Sequence, residues 1–122
     1  MSKFIGYWDD LESMKQNFEQ RSYLQKVDSE ECDVTEEEVI AAVYGDSFGY
    51  SGSAHVFFER GGKVFEVYGS HCSCDGLEGQ WEPDEVSIEH VRAQGKNLSA
   101  FSDVEDEFQE PFRKLLSDWA GR

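Results

Sequence analysis

The chain has 122 residues, 39% of them hydrophobic and 14% aromatic, and carries 26 acidic side chains against 11 basic ones, a formal charge of -15. That length suits a single domain, 1–122, with a core of its own. Nine Phe, five Tyr and three Trp can fill that core, which argues against intrinsic disorder. A surface of this sign repels nucleic acid and anionic membrane, so direct binding to either is disfavoured and basic proteins become the expected partners.

No apolar run approaches the roughly 20 residues that span a bilayer. The start, "MSKFIGYWDDLES", lacks an apolar signal core and turns acidic at once. Three Cys is an odd count, read here as reduced thiols in a cytoplasmic protein.

The first expected element is a helix over about 8–20, where Tyr7, Leu11, Met14 and Phe18 recur at helical spacing. An acidic connector without a basic residue follows, with Asp28, Glu30, Glu31, Asp33, Glu36, Glu37 and Glu38. Thr35 and Glu38 then form a Thr-x-x-Glu capping box flanked by Val34 and Val39, which predicts a helix over about 36–44 ending at Gly45. "GDSFGYSGSA" reads as a loop, and Tyr44, Phe48 and Tyr50 as an aromatic patch for a partner.

"SAHVFFERGGKVFEVYG" carries the strongest strand signal. Two β-branched and aromatic runs flank Gly61-Gly62, which supply the positive φ of a two-residue turn. That register pairs Phe58 with Phe65 and Val56 with Val67 on one face. Phe57 with Glu66 and Glu59 with Val64 fall on a more mixed face, expected to be partly solvated. Pro83 suits the start of a helix over about 83–94, "NLSAF" a short strand within 95–101, and Ser102 with Glu105 a second capping box. The last helix carries the stripe Val104, Phe108, Phe112, Leu115, Leu116 and Trp119, interrupted at Pro111 by a kink or restart. The expected class is α+β: a small antiparallel sheet built on the hairpin at about 54–68, with helices packed on one side.

Three stretches carry a resemblance: Ser51 to Ala54, His71 to Cys74, and Leu77 to Pro83. Strand entry, glycine-flanked hairpin, His-Cys-Ser-Cys loop and Leu-Glu-x-Gln-Trp-Glu-Pro run together resemble a family of small, mostly uncharacterised bacteriophage and prophage proteins. The match covers about a third of the chain, and Asp75 departs from the aromatic more often found there. The resemblance implies phage origin, the host bacterial cytoplasm as location, and no particular chemistry. Small acidic phage proteins often act by binding and disabling a host protein.

His71, Cys72 and Cys74 admit a zinc reading, since thiolate and imidazole are its ligands. The usual two-residue spacer between cysteines is missing, and a fourth ligand would have to come from Cys32, His55 or His90. A compact structural loop, with no cofactor, is the expected reading. A thiol enzyme pairing Cys72 or Cys74 with His55 is a further alternative. A nuclease built on Asp46, Glu59, Glu66 and Lys63 fits no recognised spacing.

Asp103, Asp106, Glu107 and Glu110 fall at i, i+3, i+4 and i+7, a carboxylate stripe about 10 Å long on the last helix. With Asp28, Glu30, Glu31, Asp33, Glu36 and Glu37 it forms the expected partner-binding surface. Duplex DNA sets a charge every ~1.7 Å of axis, and dense carboxylates can imitate it. The expected function is therefore non-enzymatic: a phage-encoded inhibitor of a basic host protein, an antidefence or host-takeover factor, with DNA mimicry as one form.

Overall fold

The computed structural model describes residues 2–19, 32–46, 52–71, 77 and 80–121. In chain order these build β1 (Phe4–Gly6), α1 (Leu11–Glu19), β2 (Val39–Gly45), β3 (Gly52–Arg60), β4 (Lys63–His71), β5 (Asp84–Val86), α2 (Ile88–Lys96) and α3 (Asp106–Ala120). The fold is α+β. Its five-stranded sheet runs β1-β2-β3-β4-β5, with β1 parallel to β2 and every other pairing antiparallel. The sheet is thus mixed rather than purely antiparallel, because β1 and β2 are neighbours joined by a crossover containing α1.

The β3–β4 hairpin has the register expected from its pattern, including Val56↔Val67, Phe57↔Glu66 and Phe58↔Phe65. Gly61 and Gly62 take φ of +61° and +80°. Nothing lies within 4 Å of where a Cβ would stand on either, so the requirement there is torsional alone.

Alternation along β3 feeds two cores. Ala54, Val56 and Phe58 enter one, with Trp8, Met14, Phe18, Val34, Leu77 and Trp81. Phe58 stacks on Phe65 at 5.2 Å and on Trp81 at 5.6 Å, and Phe18 closes edge-on to Trp81 at 5.1 Å. Phe57 enters the other, with Val91 of α2 and Phe112, Leu116 and Ala120 of α3. Helices therefore cover both faces: α1 on one, α2 and α3 on the other. The face expected to be partly solvated is open at Glu59 and Tyr68, while Phe101, Val104 and Phe112 bury its centre around Phe57. Each buried Phe of this kind contributes roughly 1.5–3 kcal/mol by leaving water.

The helix expected over 36–44 is instead a strand. Thr35 N–H does donate to Glu38 Oε1 at 2.9 Å, half of the capping box, but only a single turn follows. Val39–Gly45 is apolar on both sides because both cores need it. Such a run cannot be told from a buried helix by periodicity. A bulge between Val39 and Ala41 turns Ile40 and Ala41 to the same core, adding a pseudo-helical spacing.

Two further boundaries differ from expectation. Asp84–Val86 pairs with Glu66–Val64 as β5, so the helix starts only after Ser87, whose Oγ accepts the His90 N–H at 3.0 Å. No strand occupies 95–101: α2 runs to Lys96, Asn97 Oδ1 accepts the Ser99 N–H at 3.0 Å, and turns continue to 104. Phe101, 1% exposed, is a core anchor set in a turn. α3 is continuous through Pro111.

The open edges of the sheet, on β1 and on β4 beyond β5, are blunted by side chains. β5 covers only Val64–Glu66 of β4. Farther along, the Gln80 amide donates to the Ser70 carbonyl at 2.7 Å and accepts its N–H at 2.8 Å. On β1, Ser2 Oγ accepts the Phe4 N–H at 3.1 Å and donates to its carbonyl at 3.2 Å.

Candidate functional site: the carboxylate surfaces

The residues expected to form the stripe on α3 divide. Asp106, Glu107 and Glu110 are exposed in the first turns of the helix and have no ion-pair partner among the described residues. Asp103 departs from it. It precedes the helix and turns to the sheet, where its Oδ1 and Oδ2 lie 2.9 and 3.1 Å from His55 Nε2. His55 is 6% exposed, its ring set among Tyr68, Phe101 and Phe112. Burial pushes the Asp103 carboxyl up. The hydrogen bond and charge of His55 and the Ser53 hydroxyl outweigh this and hold it below the usual carboxylate value.

The second capping box does not form either. Glu105 is the N-cap of α3 but makes no capping bond with its side chain. Its carboxylate instead accepts the Asp46 N–H and faces the Tyr7 hydroxyl. Desolvation pushes the Tyr7 phenol above its ordinary value, reinforced by the Glu105 carboxylate it faces and by the charges of Asp46 and Glu107. Gly45 makes the approach possible: a Cβ there would stand 2.7 Å from Glu105 Oε1 and 3.0 Å from Val104 Cβ.

In the other acidic segment, Asp28, Glu30 and Glu31 lie outside the described residues. Asp33 is engaged by Arg60 at 3.3 Å. Glu38 takes the same guanidinium with both oxygens, 2.7 Å to Nε and 2.9 Å to Nη2. That bidentate bond, with the Thr35 N–H, holds the Glu38 carboxyl down at about 2 and raises the Arg60 guanidinium. Glu36 and Glu37 stay exposed. With Asp9, Ser2, Lys3 and Phe4 they line an open concavity of about 280 Å³, where the Lys3 ammonium donates to the Glu36 carbonyl at 2.9 Å.

His71 ends β4, while Cys72 and Cys74 lie outside the described residues. Among the described residues no three of His, Cys, Asp and Glu are grouped to hold a metal. Of the side chains weighed as distant ligands, His55 is bonded to Asp103 and His90 to Glu66 at 3.0 Å, while Cys32 is buried. Glu66 is thereby drawn from the carboxylates weighed for a nuclease, and Lys63 lies 3.8 Å from Glu85. Tyr44 is half-buried, its ring 5.2 Å from Trp8, while Phe48 and Tyr50 lie outside the described residues.

Sequence reasoning missed the Tyr7–Asp46–Glu105 corner and both histidine–carboxylate pairs. Their members stand between 24 (His90 and Glu66) and 98 (Tyr7 and Glu105) positions apart along the chain, and only the packing of α2 and the start of α3 on the sheet brings them together. No helix among the described residues is long and apolar enough to cross a membrane. No model of a known protein family, no curated protein and no solved structure matches the chain.

Proposed function

We propose that this is a phage-encoded acidic protein of the host cytoplasm that binds a basic surface of a host protein and blocks it, without catalysis of its own. One observation carries the reading: Asp106, Glu107 and Glu110 project from the start of α3 and form no ion pair among the described residues, in a chain of net charge -15. Like charges so spaced cost a few tenths of a kcal/mol per pair. A basic partner would relieve that cost and be drawn in faster by the field. Glu36 and Glu37 add a second exposed group. DNA mimicry is the form of inhibition that this charge suggests, since dense carboxylates can imitate the charge spacing of duplex DNA and occupy a DNA-binding cleft. The phage origin is supported by the Ser-Gly-Ser-Ala, His-Cys-Ser-Cys and Leu-Glu-x-Gln-Trp-Glu-Pro resemblance.

The test is capture of partners from bacterial lysate with tagged protein, with and without competing duplex DNA. The expected result is one stoichiometric partner, released by salt and by DNA. It should be lost by the triple variant Asp106→Lys, Glu107→Lys, Glu110→Lys. Full retention of that partner by the variant removes α3 from the mechanism, and a partner that DNA leaves bound removes mimicry.

A further inference from the structure

We infer that the aromatic face formed by Tyr7, Tyr44 and Phe108 receives an arginine side chain of the basic partner. The inference rests on the functional reading above and names its anchor. Tyr7 is 56% exposed although it is a large aromatic. Its ring meets Tyr44 at 5.6 Å and Phe108 at 6.1 Å, both edge-to-face, so two half-buried rings support Tyr7 while more than half of its own surface stays open. The support is fixed before any partner arrives. The Tyr7 N–H donates to the Tyr44 carbonyl at 2.9 Å, and the ring is held against Tyr44 and Phe108 on the side facing Glu105. Little ordering would therefore remain to be done on binding.

The charge around this face decides what covers it. Asp46, Glu105 and Glu107 all act on the Tyr7 hydroxyl. An apolar side chain laid on the rings would desolvate those carboxylates without compensation. An ammonium would match the charge, but it is strongly hydrated and offers no plane to stack. A guanidinium is planar and weakly hydrated; it stacks on an aromatic face while its fork of donors bonds carboxylates at the rim. Glu107, exposed and in no ion pair among the described residues, is the carboxylate open to it.

The experiment titrates the full chain at low salt with an oligo-arginine peptide and an oligo-lysine peptide of equal length, followed by amide NMR. The arginine peptide is expected to bind about three- to tenfold tighter. Its shifts should centre on Gly6 to Trp8, Gly45, Asp46 and residues 105–108. Tyr7→Leu, which keeps an apolar side chain and is checked for folding by circular dichroism, should abolish the preference while lysine binding persists. Equal affinities for the two peptides, or an arginine preference that survives Tyr7→Leu, overturn the inference. Binding with shifts confined to other carboxylates also overturns it and leaves the acidic-surface reading standing. Binding of neither peptide removes both.

Discussion

Replacing Glu38 by Gln tests how much of the acidic surface is structural. The carboxyl sits at about 2 against an ordinary 4.5 because Arg60 and the Thr35 N–H bond its charged form. At ~1.4 kcal/mol per pH unit that displacement sets a ceiling of about 3 kcal/mol on its contribution at neutral pH. Solvent lowers the figure: the Arg60 side chain is 40% exposed and that of Glu38 23%. About 1–2 kcal/mol is therefore expected. The sign follows from the depressed value. The contribution is complete above the unfolded carboxyl's pKa and is lost as pH falls from about 4.5 toward 2. Urea denaturation of wild type and Glu38→Gln, at neutral pH and at steps down to about pH 2.5, reads this directly. The variant should be less stable at neutral pH, and the gap should close on acidification. A gap that stays constant with pH would assign the loss to packing and refute the ionic account.

Three other outcomes follow from the same structure. Asp103→Asn should cost about 1–3 kcal/mol at neutral pH, because it weakens a half-buried acceptor facing His55. Since the Asp103 carboxyl is held low, that cost should shrink as pH falls through its folded value, measured by denaturation at stepped pH. Phe57→Ala, at a fully buried position between the sheet and α3, should cost about 3–5 kcal/mol in the same assay. Gly45→Val should cost at least ~1–3 kcal/mol by driving a side chain into Val104, Glu105 and Phe108, and amide exchange should rise first at the start of α3.

The hairpin was legible because its signal is local and doubly determined. Alternation sets which residues share a face, and two adjacent glycines set the turn, so one register remained. The apolar stripe of α3 was legible for the same reason, with Phe112 and Leu116 buried as their spacing requires. β2 was not, since a strand covered on both faces loses alternation and Ala41 and Ala42 favour a helix intrinsically. The carboxylates show a second limit. Helical spacing put Asp103 in line with Asp106, Glu107 and Glu110, but helix α3 begins three residues later and a buried histidine claims Asp103. Asp33 is likewise drawn to Arg60, a residue 27 positions away that only the fold brings near.

The side chains of Ser2 and Gln80 bear on recognition in a way that charge does not. Each supplies a donor and an acceptor to one residue on an open edge of the sheet, doing for Phe4 of β1 and for Ser70 of β4, beyond the reach of β5, what a neighbouring strand would do. An incoming strand would have to displace groups tethered to the same molecule, whose effective concentration is of the order of millimolar or higher. At those two rungs the sheet is closed to growth, whether by another copy of the chain or by a target's exposed edge. Association there is left to what side chains present rather than to the backbone ladder.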